Sequence, residues 1–244
     1  MTERKISAGS YDLNKWLFGG YENDVITMIA GPAGSGKSNF CILAAVSQAK
    51  HGNKVIFVDT EGGFSVERAR QIAGEDCEKI LESILLMKPV NFEEQKKTFS
   101  KLLSTLKDND KVRLIIVDGM TMLYRLEMGD ARQEESDSNV QDVNRELAKQ
   151  MRILAEISRK QEIPVLITNQ VYSEFLSEED LRKGVKKGVN FVGGDLLKYW
   201  SKCIIELQNE NGKRTAVLRK HRSLPEKEFS FAITNEGIKK KGWM

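Results

Sequence analysis

One stretch of eight residues constrains this chain more strongly than any other. It reads Gly31, Pro32, Ala33, Gly34, Ser35, Gly36, Lys37 and Ser38. This string fits the phosphate-binding loop pattern G-x-x-x-x-G-K-S/T at every fixed position. In such a loop the backbone N–H groups surround a chain of phosphates, and the positive end of the following helix dipole faces the same anion. The string therefore predicts a nucleoside triphosphate site rather than an ordinary glycine-rich turn.

The residues on either side of the loop have the pattern that the motif requires. An apolar run at 25–30 predicts a strand entering the loop, and residues 39–50 predict the helix leaving it. In this arrangement Lys37 would reach the outer phosphates, and the Ser38 hydroxyl would hold a Mg²⁺ ion. Asn39 opens the helix and is expected to lie against the nucleotide as well.

Size and composition are those of one globular domain. The chain has 244 residues, 40% hydrophobic and 30% charged, so we expect a single α/β domain over residues 1–244. No apolar run approaches the about 18–20 residues that span a bilayer, and no secretory signal is visible at the N-terminus. These observations predict a cytoplasmic protein with no membrane partner. The net charge of +3 is too small to indicate a nucleic-acid partner by itself.

The cysteines and histidines argue against a metal or disulfide framework. Cys41, Cys77 and Cys203 are widely spaced, which is typical of free thiols in a reducing compartment and not of a zinc site. His51 and His221 are the only histidines, so histidine-based metal chemistry is not expected.

Strand and helix patterns alternate along most of the chain. Apolar runs predict further strands at 54–59, 84–87, 114–118 and 165–168. Helical spacing predicts helices at 65–73 and 92–106, and a long helix whose apolar side runs from 140 to 157 and which stops before Pro164. This alternation predicts an α/β architecture: a mainly parallel twisted sheet, flanked by helices, with right-handed crossovers.

After residue 200 the pattern changes to short strands joined by turns. Strand candidates lie at 202–207, 215–219 and 228–233, and Asn211-Gly212 is a strong hairpin signal. We expect antiparallel strands at the edge of the main sheet.

Polar residues follow several of the predicted strands. Asp118 ends an apolar run and would order Mg²⁺ through water, unless it is an ordinary strand-terminal aspartate. Glu61 follows the strand at 54–59 and either polarises a water for attack on the γ-phosphate or is a solvated turn residue; its position alone leaves both open. Gln170 lies just after the strand at 165–168, where on residue chemistry alone a capping role is favoured over contact with the γ-phosphate.

A glycine-punctuated basic cluster follows Gln170. It comprises Arg182, Lys183, Lys186 and Lys187. Such a cluster either contacts nucleic-acid phosphates or is a solvated charge run. A second basic run at 239–241 would extend the patch or act as a solubilising tail.

Together these motifs resemble the cores of RecA-like recombinases. The resemblance rests on the phosphate loop, Asp59-Thr60-Glu61-Gly62-Gly63-Phe64, Leu114 to Asp118 and Ile167-Thr168-Asn169-Gln170-Val171. Weaker matches follow at Met122 to Leu126, Gly193-Gly194-Asp195, Leu218-Arg219-Lys220 and Ser223-Leu224-Pro225-Glu226. The similarity runs from about residue 13 to residue 237. The lead-in is too short for the N-terminal helix-hairpin-helix domain of the archaeal recombinase RadA, so the chain looks most like a short archaeal paralogue of RadA.

The resemblance implies ATP and Mg²⁺ as cofactors and assigns roles that the residues alone leave open. Glu61 would be the water-activating carboxylate, and Gln170 would connect the γ-phosphate with a second DNA loop at 171–192. Arg68 would stack on adenine. The remaining implied residues act between subunits: Pro225 and Glu226 would cap a neighbour's ATP, and Lys220 and Arg222 would approach its γ-phosphate.

The implied partners are DNA, the recombinase RadA, a Holliday-junction nuclease and further copies of the chain in a homodimer or small oligomer. One departure limits the comparison. The first DNA loop of recombinases corresponds to about 127–139, where five carboxylates face only Arg132. They are Glu127, Asp130, Glu134, Glu135 and Asp137. This segment would repel a phosphate backbone, which argues against strand exchange. With this departure, the resemblance implies an accessory protein that binds DNA and hydrolyses ATP weakly, without strand exchange.

Two other classes of function remain compatible with the sequence. One is a ring-forming signalling ATPase like the KaiC group, with which the phosphate loop and 220–222 are consistent. The other is a non-enzymatic adaptor that uses bound nucleotide to shape a partner surface, with the acidic segment 127–139 facing a basic nuclease or RadA.

Overall fold

The computed structural model describes residues 5–133, 137–173 and 189–242. The strands are β1 (Lys5–Ile6), β2 (Tyr21–Glu22), β3 (Ile26–Gly31), β4 (Lys54–Asp59), β5 (Ile84–Met87), β6 (Val112–Asp118), β7 (Val165–Ser173), β8 (Val189–Phe191), β9 (Ser201–Glu210), β10 (Lys213–Lys220), β11 (Lys227–Thr234) and β12 (Gly237–Lys240). The helices are α1 (Tyr11–Trp16), α2 (Lys37–Lys50), α3 (Val66–Ala73), α4 (Cys77–Glu82), α5 (Phe92–Lys107), α6 (Met122–Gln133), α7 (Asp137–Gln161) and α8 (Gly194–Trp200).

One large sheet organises these elements, in the order β12-β11-β10-β9-β3-β7-β6-β4-β5, and β8 pairs with β7. From β9 to β5 neighbouring strands are parallel, whereas β10, β11 and β12 pair antiparallel. The predicted α/β class with antiparallel C-terminal edge strands is confirmed. One detail differs: β9 pairs parallel with β3, so it belongs to the parallel part of the sheet.

Both faces of the sheet are covered by helices, as expected for strands that are apolar throughout. On one face α1 to α4 pack over residues that include Ile29, Phe57 and Ile116. On the other face α5, α7 and α8 pack over alternate residues of the same strands, such as Met28, Ile56 and Val117. Because successive side chains of a strand point to opposite faces of the sheet, each apolar run contributes to both cores.

The acidic segment differs from the predicted loop. Helix α6 continues to Gln133 and helix α7 begins at Asp137, so all of the described part of 127–139 is helical. Helix α7 then extends to Gln161 and stops before Pro164, as predicted, and Glu162 follows with φ of 53° before the buried strand β7. Among the described residues, no helix is both long enough and apolar enough to cross a membrane.

Candidate nucleotide-binding site

The glycine-rich string forms a tight loop between β3 and α2. Gly34 and Gly36 have φ of 72° and 110°, in the left-handed region that favours glycine. Gly36 precedes the first residue of α2, and no side chain caps that helix. The N-terminus of α2 therefore points its dipole and its amide groups into the loop, which is the arrangement that binds an anion.

The Lys37 side chain is folded over the mouth of this loop. Its Nζ donates to the carbonyl oxygens of Gly31 and Pro32, both at 3.0 Å. Burial lowers the pKa of Lys37, while the nearby carboxylates of Glu61 and Asp118 act in the opposite direction. Because carbonyl oxygens are weaker partners for an ammonium group than phosphate oxygens are, Lys37 is positioned to exchange one for the other.

A buried carboxylate lies beside the loop at the end of β6. Thr168 Oγ1 donates to Asp118 Oδ1 at 2.7 Å and accepts from the Gly119 N–H at 2.7 Å. Asp118 Oδ2 is buried and receives no hydrogen bond from the described residues. Burial raises the pKa of Asp118, and the neighbouring hydroxyls of Ser38 and Thr168 act in the opposite direction. A buried oxygen without a donor is the group that a cation would complete.

The turn after β4 closes over Ser38 and Asp118. A Cβ atom on Gly63 would lie 2.8 Å from Ser38 Oγ and 2.9 Å from Asp118 Oδ2, so only glycine fits. Asp59 holds this turn, because its two carboxylate oxygens accept from the N–H groups of Gly63 at 2.9 Å and Phe64 at 3.1 Å. The two oxygens of Ser38 and Asp118 therefore face one small space under the turn.

The two remaining predicted residues of the loop edge contact each other. Gln170 Nε2 donates to Glu61 Oε1 at 3.3 Å, across 109 positions of the chain. Glu61 follows β4, and β6 alone separates β4 from β7, so the ends of the two strands lie close enough for this contact. Gln170 also lies opposite Gly31 in the register of β7 with β3. Partial desolvation, followed by the charge of Asp118, raises the pKa of Glu61, and Lys37 and the Gln170 hydrogen bond oppose this rise.

Arg68 also lies next to the loop. Its Nε donates to Asn39 Oδ1 at 2.7 Å, and its other nitrogens donate to the carbonyl oxygens of Asn235 at 3.3 Å and Gly237 at 3.4 Å. The guanidinium group thus joins the start of α2 to the turn between β11 and β12. The C-terminal strands reach the loop a second time at Ile233, whose Cδ1 is 3.1 Å from the Cβ position of Gly36.

The predicted inter-subunit residues lie at the other end of the sheet. Strand β10 runs antiparallel to β9 and so returns toward the amino end of β3. There Arg222 donates to Glu22 Oε2 at 3.0 Å and to Asp24 Oδ2 at 2.8 Å. Since Asp24 precedes β3 and the phosphate loop follows it, about 20 Å of strand separates Arg222 from its own loop.

The other three members of this group lie at the end of β10 or between β10 and β11. Lys220 Nζ donates to the carbonyl oxygen of Lys198 at 2.7 Å, and Glu226 forms an ion pair with Arg219. Pro225 precedes Glu226 in the same exposed segment. The predicted DNA-binding residues Arg182, Lys183, Lys186 and Lys187 lie outside the described residues.

Sequence reasoning missed Asp59 and Thr168 as parts of the site. Asp59 had a usable signal, since it ends a buried strand just before a Gly-Gly turn. Thr168 had none, because its role depends on the neighbouring strand supplying Asp118.

Comparison with known proteins agrees with this geometry. The family model described as Rad51 matches residues 3–241. Proteins named DNA repair and recombination protein RadB are similar along nearly their whole length. That of Methanobrevibacter smithii is 43% identical over 230 residues, covering 93% of this chain and 92% of its own. That of Methanococcoides burtonii is 41% identical over 230 residues, covering 93% and 94%. That of Methanothermobacter thermautotrophicus is 38% identical over 239 residues, covering 96% and 95%.

The match extends from before β1 to the end of β12, and the strand order places the shared motifs at one sheet edge. The resemblance to RecA-like recombinases is therefore confirmed, and the chain belongs to the RadB family of Rad51-related proteins.

Proposed function

We propose that this protein is an ATP- and DNA-binding accessory factor of homologous recombination and DNA repair. The observation that carries the proposal is the convergence of Lys37, Asp118, Glu61 and Gln170 at the edge of the sheet where the phosphate loop lies. The similar proteins, named for DNA repair and recombination, supply the biological setting.

ATP with Mg²⁺ fits the residues present. The loop amides, the end of α2 and Lys37 would hold the phosphates, and Ser38 with Asp118 Oδ2 would hold the ion, Asp118 through water. Arg68 would lie along the adenine. Bound Mg²⁺ would neutralise phosphate charge and polarise the terminal phosphoryl group.

For hydrolysis, Glu61 would accept a proton from the attacking water, and Gln170 would hold the Glu61 carboxylate in place. Lys37 would shift from the loop carbonyls to the outer phosphates. We expect slow turnover, because the described residues of one chain supply no further cation at the γ-phosphate edge, and phosphoryl transfer is fast when an additional positive group completes the site.

A neighbouring copy would supply that group. Lys220 and Arg222 lie at the sheet end remote from their own loop, so they would act, with Pro225 and Glu226, on the nucleotide of another subunit in a homodimer or small oligomer. Arg222 is already bound to Glu22 and Asp24. Assembly would therefore have to compete with these ion pairs, which agrees with slow turnover and no strand exchange.

Gly63 provides a test of the magnesium site. We expect Gly63→Ala to reduce ATP turnover about tenfold to a hundredfold, because the added methyl group displaces Ser38 and Asp118 by a fraction of an ångström. The Mg²⁺ concentration that gives half-maximal turnover should be higher in this variant. Gly129→Ala, in helix α6 with open space at the Cβ position, is the control and should change neither. Equal magnesium curves for both variants would exclude the proposed ion position.

DNA binding through the segment after Gln170 has its own test. Lys183, Lys186 and Lys187 changed together to alanine should weaken DNA binding and reduce the slope of log affinity against log salt by about 2–3, as expected for three lost phosphate contacts. The matched control changes Lys97, Lys101 and Lys107, which are exposed on α5, to alanine and should change neither. Affinity and slope that stay the same in the first triple variant would refute the assignment.

ATP would couple to DNA or to a protein partner through Gln170. This residue touches Glu61 on one side and precedes the segment 171–192 on the other. Nucleotide state would thus bias the affinity for DNA, RadA or a Holliday-junction nuclease.

A further inference from the structure

A groove separates helices α6 and α7 where both pack against the start of α5. It has a volume of about 710 Å³ and lies away from the phosphate loop. Its floor is apolar, formed by the buried side chains of Phe92, Ala131 and Val143. This volume is within the range of about 300–1,000 Å³ typical of pockets that hold compact ligands, so a few side chains of a partner would fill it.

Carboxylates dominate the rim of the groove. Asp142 is paired with Arg145 at 2.8 Å, and Glu146 with Lys149 at 3.5 Å. Glu127 and Asp130, which both line the groove from α6, make no ion pair with any described residue. No ion pair within the described residues therefore neutralises these two carboxylates on the α6 side.

One cation of the chain, Lys96, already lines this groove. The Lys96 ammonium lies 5.9 Å from the centroid of the Phe92 ring and pairs with Glu93. The hydrogen bond to Glu93 raises the pKa of Lys96, and the charges of Glu146 and Glu127 add to this rise. The Phe92 face and the carboxylates around it thus favour a positive side chain lying over an apolar surface.

We propose that this groove binds a positively charged, extended segment of a partner protein. Apolar side chains would cover Phe92, Ala131 and Val143, and arginine or lysine side chains would pair with Glu127 and Asp130. DNA is the wrong ligand, because its phosphates would meet the same carboxylates. The proposal rests on the accessory role argued above and adds to it a docking surface remote from the nucleotide.

The test uses a short fluorescent peptide of alternating arginine and leucine, with a glutamate-for-arginine version as the acidic comparison. Binding is measured by anisotropy at low salt. We expect Glu127→Gln with Asp130→Asn to weaken binding of the basic peptide about threefold to tenfold, and the parent protein to bind the acidic peptide far more weakly. The matched control is Glu75→Gln with Asp76→Asn, which removes the same charge from an exposed turn after α3 and should bind like the parent.

Equal binding by the two double variants, or no binding by the parent, would overturn the proposal. The proposal would also be overturned if Glu127→Gln with Asp130→Asn left peptide binding unchanged and strengthened DNA binding. The two carboxylates would then serve only to repel DNA. Binding of an ATP analogue, measured on the same samples, separates this outcome from failure of the proposed function. Loss of analogue binding by the parent would count against the ATP site and leave the peptide comparison intact.

Discussion

Replacing Lys37 by alanine is expected to weaken ATP binding by about tenfold to a hundredfold and to abolish measurable hydrolysis. Lys37 is the buried cation at the loop, and hydrogen bonds to charged groups contribute about 1.5–3 kcal/mol each. The variant also removes the donor that now satisfies the carbonyl oxygens of Gly31 and Pro32. Binding of a fluorescent ATP analogue, with turnover measured in parallel, checks both expectations.

Lys50→Ala is the matched control for this experiment. Lys50 lies at the other end of the same helix, and its Nζ donates to the carbonyl oxygen of Ile72 at 2.8 Å. Lys50→Ala removes the same charge and a comparable hydrogen bond at a site remote from the loop. If the two alanine variants bound the analogue equally well, the string at 31–38 would not be the nucleotide site.

Changing Glu61 to glutamine is expected to slow ATP hydrolysis by about a hundredfold to ten-thousandfold, the usual contribution of a positioned general base. ATP binding should persist, because the phosphate contacts of the loop are kept. The glutamine amide can still meet Gln170, so the turn keeps its local geometry while the proton acceptor is lost. Single-turnover hydrolysis and analogue binding, measured on the same protein, separate these two effects.

The pH profile gives the Glu61 test a second readout. Glu61 acts as a carboxylate, and its pKa is raised, so activity should fall as pH falls through a value above that of an ordinary glutamate. This acidic limb should be absent from the residual activity of Glu61→Gln. Glu67→Gln, in the exposed first turn of α3, should keep both the rate and the limb. Turnover unaffected by Glu61→Gln would instead favour a nucleotide-dependent adaptor without catalysis.

Much of the fold could be predicted because local sequence patterns indicate most of its strands and helices. The apolar runs before Gly31, Asp59 and Asp118 are buried strands in the structure. The hairpin turn at Asn211-Gly212 joins β9 to β10, as the dipeptide indicates. Such patterns report local conformation and which side of an element is apolar, and residues close together in the sequence set both.

The acidic segment shows where local patterns fail. Its charges favour a solvated loop, yet every described residue of the segment belongs to α6 or α7. Leu123, Met128 and Val143 pack together with Phe92 of α5, so tertiary contacts stabilise these helices despite the carboxylates of the segment. The groove between α6 and α7 exists only because of this packing.

The sequence by itself determined that a phosphate loop follows a buried strand, and that Asp118 and Glu61 end or follow strands of a parallel sheet. Only the tertiary structure decided that Gln170 meets Glu61, that Thr168 orients Asp118, and that Arg222 lies at the opposite end from its own loop. The physical reason is that periodicity along a chain encodes which faces are buried. It does not encode which strands become neighbours, and strand order and register decide which side chains share one edge.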